Sequence, residues 1–304
     1  MGDPVDIETL DLENILLVDS FGVWEKHAGT DWKVRVINNY ISNHVNEYAW
    51  LPSKMQYDNL SELLEAARTI KQYSDGKLTL GKADFKSAFK TLPACSDQSW
   101  LSWSLVYNPT LQKHQVAPLK SQSVGSLGAV MAWYRTAMML QHVLEELFMI
   151  STFIYVDDCF WVAPDHPNGE GPNSSWQYCV FEYVVQELLG WRLDPTKTEL
   201  GHKVTLLGIQ IQMEPSVSEW QLSPDKAADW ANEIQRFLEE DKLLPSEASK
   251  LCGRIAFLNS RVYGRLGRAL LRPLIWRQLQ QHGPVKLTRR IRVSLCWFKK
   301  ALTE

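Results

Sequence analysis

Two aspartates stand side by side, Asp157 and Asp158, inside the apolar run STFIYVDDCFWVAP at residues 151–164. The flanks are aromatic and β-branched, so the run predicts a hairpin with acids at its tip. Adjacent carboxylates repel by about 4 kcal/mol at 4 Å and an effective dielectric near 20. A third carboxylate, Asp84, closes the alternating stretch KLTLGKADF (77–85), which predicts a strand. Taken singly, a strand-end Asp reads as a solvated cap and the Asp157-Asp158 pair as an acidic β-turn. Taken together, a strand-end Asp, a long helix and an Asp-Asp hairpin can bring three carboxylates to one sheet edge. Such a cluster needs a cation. Hard oxygen ligands select magnesium, which keeps waters and shares its coordination with substrate phosphates. Two such ions about 3.5–4 Å apart clamp the attacking and leaving oxygens of an in-line displacement. The chemistry these residues suit is nucleotidyl transfer: a 3′-hydroxyl attacks the α-phosphate of a nucleoside triphosphate and pyrophosphate leaves.

The elements that must position these acids are legible in outline. Residues 31–48 read as a short strand and then a loop, and LSELLEAARTIKQYSD (60–75) reads as a helix ending at Asp75-Gly76. A long, mostly apolar helix is predicted over 124–149, a loop over 165–175, a buried helix over 176–191 and a strand over 203–211. Ser223 and Pro224 open a helix over 223–240. A further helix is predicted over 245–273, stopped by Pro273. Strands and helices mix without regular βαβ alternation, which favours an α+β fold. There is no internal repeat.

The chain has 304 residues, 45% hydrophobic and 22% charged, enough to bury a core in one large domain or two ordinary ones. No long uncharged apolar run and no signal-peptide pattern occur, so no membrane partner is expected. Five scattered cysteines without a CxxC pair argue against structural zinc and suit a reducing intracellular compartment. The net charge of -3 conceals an asymmetry: from Ala248 onward there are 13 Lys and Arg against one acid, whereas residues 1–247 carry 19 basic and 34 acidic residues. A basic end of that kind should bind a polyanion. Lys250, Arg254, Arg261, Arg265, Arg268 and Arg272 fall on one face of the helix predicted over 245–273, opposite Leu251, Ile255 and Leu258. A charge run is usually a solvated face, but this one has a single sign and no compensating acids. That favours phosphate contact.

With these residues in view, a resemblance is plain. FIYVDD resembles the YxDD motif of reverse transcriptases, and ADFKSAFKTLP (83–93) resembles the motif carrying their other catalytic Asp. The resemblance extends over most of the chain, and its style is most similar to DIRS-type retrotransposon enzymes. It implies a right-hand polymerase: part of the fingers at 1–75, a palm with a small antiparallel sheet and a fingers insertion at 76–215, a helical thumb at 222–275, and at 276–304 the start of a connection toward a missing ribonuclease H domain. It also implies two Mg2+ ions, with Mn2+ as an alternative, held chiefly by Asp84 and Asp157 and more weakly by Asp158. Its implied partners are an RNA template, a DNA primer and dNTPs.

Further roles are carried over by the same resemblance. Phe85 would supply a backbone carbonyl, and Phe89 would be a steric gate against a ribose 2′-hydroxyl or a core phenylalanine or both. Lys33 and Arg35 in KVRVINN would bind the triphosphate, Gly125 in QSVGSLGAV would line the nucleotide, and Lys197 would sit by the leaving pyrophosphate as a proton donor. Leu207 and Gly208 would join the primer grip, and the six basic residues above would hold the duplex. Ser123 and Val124 depart from the family's usual residues. With the apparent truncation, that supports a second reading, a catalytically decayed nucleic-acid-binding relic. A third is an RNA-dependent RNA polymerase, against which Phe89 argues.

Overall fold

The computed structural model describes residues 1–26, 32–58, 60–73, 78–164, 173–214, 218–261, 267–280 and 285–303. The strands are β1 (Val5–Asp6), β2 (Leu17–Lys26), β3 (Trp32–Asn39), β4 (Leu78–Asp84), β5 (Trp103–Asn108), β6 (Lys113–Pro118), β7 (Thr152–Tyr155), β8 (Asp158–Pro164), β9 (Glu199–Gly201), β10 (Lys203–Leu206), β11 (Ile209–Met213) and β12 (Ser218–Leu222). The helices are α1 (Val45–Tyr48), α2 (Leu60–Tyr73), α3 (Leu127–Phe148), α4 (Asn173–Glu182), α5 (Pro224–Glu239), α6 (Pro245–Arg261), α7 (Arg268–Leu279) and α8 (Arg289–Thr303). The mixed α and β composition agrees with the expectation. The chain divides into two compact units. One holds Met1–Asp58, Ala83–Cys159 and Tyr178–Thr198; the other holds Asn59–Lys82, Phe160–Gln177 and Glu199–Glu304.

The first unit contains a five-stranded sheet in the order β1-β6-β5-β2-β3. Its long hairpin pairs β2 with β3 in antiparallel register from Asp19↔Asn39 to Lys26↔Trp32. β2, β5 and β6 are not marked by any clean alternation in the sequence. They form because β5 and β6 pair along their full length, and β2 lies parallel to β5 at Leu17↔Trp103. Asp84 and Asp158 lie on strands of a separate sheet, ordered β7-β8-β4-β9, and Asp157 in the link between β7 and β8. β4 is buried nearly throughout, as a central strand should be.

The second unit contains the sheet β10-β11-β12 and a helical cluster. The run 203–211, expected to be one strand, is a hairpin. Leu207 (φ 51°) and Gly208 (φ 82°) both adopt the left-handed backbone that reverses the chain between β10 and β11. β11 alternates buried and half-buried residues, with Ile209, Ile211 and Met213 inward. The helices pack on Ile234, Phe237, Leu251, Ile255, Leu274 and Phe298. Leu251, Ile255 and Leu258 are buried, as their spacing predicts.

Two predicted helices change. The π-helical turn Tyr183–Leu188 follows α4, and that element begins at Asn173 rather than 176; residues 165–172 of the predicted loop lie outside the described residues. The helix predicted over 245–273 is two helices, and Pro273 lies inside α7 rather than ending it. α6 ends at Arg261 and α7 starts at Arg268. Gly267, at its N-terminal edge, packs so closely on Asn259 that an added Cβ would fall 2.1 Å from Oδ1. A straight helix would carry Asn259 and Gly267 apart.

Candidate active site

Asp84 ends β4, and Asp157 occupies the two-residue link between β7 and β8. A backbone bond ties the two places together: the Phe85 N–H donates to the Asp157 carbonyl across 3.2 Å. On the other side of Asp84 its carbonyl accepts from the Asp194 N–H at 2.9 Å, and Phe85 bridges Leu193. The segment 192–197 is thereby laid beside Asp84. From it the Lys197 ammonium donates to the Asp84 carboxylate, which is almost wholly buried.

The electrostatics follow from this crowding. The Asp157 carboxyl is pushed above the usual carboxylate range, first by lost hydration and then by the Asp84 charge, although the residue still reaches solvent. Lys197 and Arg35 act in the opposite sense on it. For Lys197 lost hydration works downward, but the Asp84 bond and the charges of Asp84, Asp194 and Asp157 prevail and raise its pKa.

The pair rests on an aromatic base. Phe85 is buried against Trp133, Phe181 and Trp191, with ring centroids 5.0, 5.9 and 6.1 Å away. Trp133 also donates its indole N–H to the Val156 carbonyl at 2.5 Å. Val156 has φ 57°, a costly backbone for a β-branched residue, and that bond fastens the turn that presents Asp157. A second support comes from the segment before α2: Asp58 accepts from the Ile154 N–H at 2.9 Å, and Tyr57 packs on Tyr155 and Tyr134. Sequence reasoning missed Trp133, Val156, Tyr57 and Asp58. A buried indole needs an acceptor, which is a usable signal for Trp133. Nothing local marks the other three, and Asp58 looks like a helix cap.

The three carboxylates do not form one group. Asp157 belongs to the turn between β7 and β8, whereas Asp158 is the first residue of β8. Its charge acts on the buried Cys159 thiol, which is raised mainly by burial. Among the described residues no group of three or more His, Cys, Asp or Glu side chains is placed to hold a metal ion. What remains is two carboxylates with unequal hydration. Magnesium is commonly held by one or two carboxylates that share it with water and phosphate, and the Asp84–Asp157 donor set fits that use.

Arg35 projects from β3, and its charge is felt by Asp157; Lys33 lies two residues away on the same strand face, exposed. Phe89 is half-buried in the 3-10 segment Ala88–Thr91. Gly125 has φ 108°, and a Cβ there would lie 2.0 Å from the Asn38 carbonyl oxygen. Close approach to β3 is thus sufficient reason for glycine at this position. Ser123 is buried and hydrogen-bonded to the Tyr40 hydroxyl at 2.6 Å, so its departure from the motif is built into the packing.

In the second unit the Leu207-Gly208 turn is held by the Ser223 N–H, which donates to the Gly208 carbonyl at 3.0 Å. Lys250, Arg268 and Arg272 are exposed, on α6 and α7. Arg254 differs: it is ion-paired with Glu233 and its guanidinium lies 5.6 Å from the Trp230 ring centroid. The expectation of uncompensated charge fails at this residue, because α5 supplies an acid. Arg261 is the last residue of α6, and Arg265 lies outside the described residues.

No protein-family model and no curated protein matches the sequence. Solved structures do match the fold. A foamy viral protease-reverse transcriptase in complex with RNA/DNA hybrid aligns over 95% of this chain and 34% of its own, with TM-score 0.62 and 16% identity. A second foamy viral protease-reverse transcriptase structure, with double-stranded DNA, aligns over 92% of this chain and 42% of its own with TM-score 0.63; a third, also with double-stranded DNA, over 93% and 51% with 0.58, both at 16% identity. The chain therefore has a reverse-transcriptase-like fold and spans about a third to a half of those proteins' length. Among the described residues no helix is long and apolar enough to cross a membrane.

Proposed function

We propose that the chain is the polymerase portion of a retroelement reverse transcriptase, an RNA-directed DNA polymerase that extends a DNA primer with dNTPs on an RNA template. The observation that carries the reading is the pairing of Asp84 with Asp157, fixed by the Phe85–Asp157 backbone bond within a reverse-transcriptase-like fold. Residues 1–75 are part of the fingers, 76–215 the palm with a fingers insertion, 222–275 the thumb and 276–304 the start of a connection. The motif style favours a DIRS-type element.

Asp84 and Asp157 hold divalent cations, Mg2+ or Mn2+, with Asp158 a lesser contributor. Bound there, the cations supply charge neutralisation and activation of the primer hydroxyl. The chain's own residues do the rest. Arg35, beside Asp157, takes the triphosphate with Lys33. Lys197 leaves the Asp84 carboxylate when the site is loaded and serves the pyrophosphate as a cation. Phe89 restricts the sugar, Phe85 and Gly125 shape the nucleotide site, and Leu207-Gly208 with Lys250, Arg261, Arg265, Arg268 and Arg272 contact the primer–template, while Arg254 stays paired with Glu233.

Primer extension on an RNA template with Mg2+ tests the reading. Wild type should extend with dNTPs and Asp157→Asn should not. Salt-dependent binding of an RNA–DNA hybrid without extension supports the decayed relic instead. Equal use of ribonucleotides supports an RNA polymerase.

A further inference from the structure

The pair α7 and α8 leaves an apolar groove of which the polymerase reading uses only the rim residue Arg272. Its volume is about 660 Å3, and Pro273, Ile275, Trp276 and Leu279 of α7 line it with Ile291 of α8. Three of these side chains are more open than an interior allows: Ile275 is 40% exposed, Trp276 61% and Leu279 70%. They are not scattered singly. Positions 272, 275, 276 and 279 follow the i, i+3, i+4, i+7 pattern of one helix face over two turns. The rim is cationic. Arg272, Arg289 and Arg290 border the groove and are exposed, and their guanidinium groups make no hydrogen bond or ion pair among the described residues. Between 267 and 303 there are nine Lys and Arg and no acid.

We infer that this groove docks an acidic amphipathic helix presented by a partner protein. The apolar floor calls for apolar side chains, each gaining about 25 cal/mol per Å2 removed from water. The unpaired guanidiniums call for carboxylates flanking that stripe. A helix fits because α7 and α8 satisfy their own backbones and offer only side chains, so an extended strand finds no edge to pair with. A nucleic-acid backbone satisfies the rim but leaves Ile275, Leu279 and Ile291 facing phosphates and sugars. A second copy meeting the same face sets Arg272, Arg289 and Arg290 against the same three cations and is repelled. Apart from Arg272, which both readings use, the inference stands on residues that the polymerase reading leaves unassigned.

The test uses the whole chain and a fluorescein-labelled Glu-rich peptide of about 16 residues bearing Leu at i, i+3, i+4 and i+7. Anisotropy should show saturable binding at low salt that weakens about tenfold or more in Trp276→Ala/Leu279→Ala and in Arg289→Glu/Arg290→Glu, as expected for anchor residues. Both pairs are exposed, so circular dichroism should match wild type. The same peptide with Lys for Glu, or Ser for Leu, should not bind. The inference is overturned by any of four results: no saturable binding up to about 100 μM, equal binding of the Lys peptide, indifference to the Trp276/Leu279 change, or competition by an RNA–DNA hybrid whose own affinity falls with that change. Self-association abolished by Leu279→Asp assigns the groove to a second copy and overturns it too.

Discussion

The backbone N–H of Phe85 and the backbone carbonyl of Asp157 meet at 3.2 Å, and this bond brings two buried or half-hydrated carboxylates to one place. Phe85 is well suited to the task because its own side chain is locked among Trp133, Phe181 and Trp191. A residue fixed by three rings cannot follow the repulsion between the acids. The neutralising charge comes from Lys197, 113 residues along the chain from Asp84.

Asp157 gives a pH-dependent stability signature. Its pKa is raised in the folded protein, so its ionised form costs stability above that folded value. The cost disappears as pH falls through the folded pKa toward the ordinary value of 3.8. In a chelator, Asp157→Asn should therefore raise Tm at pH 8, with the gain shrinking as pH approaches 4. Added Mn2+ should raise the Tm of wild type and leave that of Asp157→Asn almost unchanged. Differential scanning fluorimetry across pH measures both.

Trp133→Phe keeps the ring and removes the donor to Val156. A lost hydrogen bond of this kind costs about 1 kcal/mol in urea unfolding. Nucleotide addition should fall by more than that loss of stability explains, because the bond fastens the turn that carries Asp157.

At Gly125 an alanine meets both a left-handed backbone and the Asn38 carbonyl. Gly125→Ala should destabilise by about 2–4 kcal/mol, read from the denaturation midpoint with m unchanged. A variant as stable as wild type contradicts the packing described.

Arg254 should behave unlike its basic neighbours. Removing Arg268 or Arg272 should each lower the salt slope of hybrid binding by about 1, whereas Arg254→Ala should leave it nearly unchanged. A double-mutant cycle with Glu233 should instead show coupling of up to about 1 kcal/mol, since both partners are partly solvated.

Much of the frame was legible because local signals agreed. The alternation of β4, the length of α3 and the strand composition around Asp157-Asp158 each pointed to the element that forms. The site was legible as a set of residue types, and less so as a geometry. Asp157 belongs to the turn and Asp158 to β8, a difference that an Asp-Asp pair read as one unit hides. The left-handed Val156 has no sequence mark, because Trp133 stabilises it from another element. The Leu207-Gly208 turn was hidden in an apolar run that reads as a single strand. The division into α6 and α7 was missed because Pro273 was the conspicuous breaker, whereas α6 ends at Arg261 and Pro273 lies inside α7. The pairing of Arg254 with Glu233 depends on α5 and cannot be seen from its own helix.

The central claim is that Asp84 and Asp157 act as a pair and Asp158 stands apart. Single-nucleotide incorporation onto a primer annealed to RNA, with Mg2+, compares Asp84→Asn, Asp157→Asn and Asp158→Asn directly. The account expects the first two to lose about a thousandfold or more in rate, the scale of several kcal/mol of lost charge stabilisation, and Asp158→Asn to keep readily measurable activity. Equal loss at all three positions, or wild-type rates in Asp157→Asn, would contradict it.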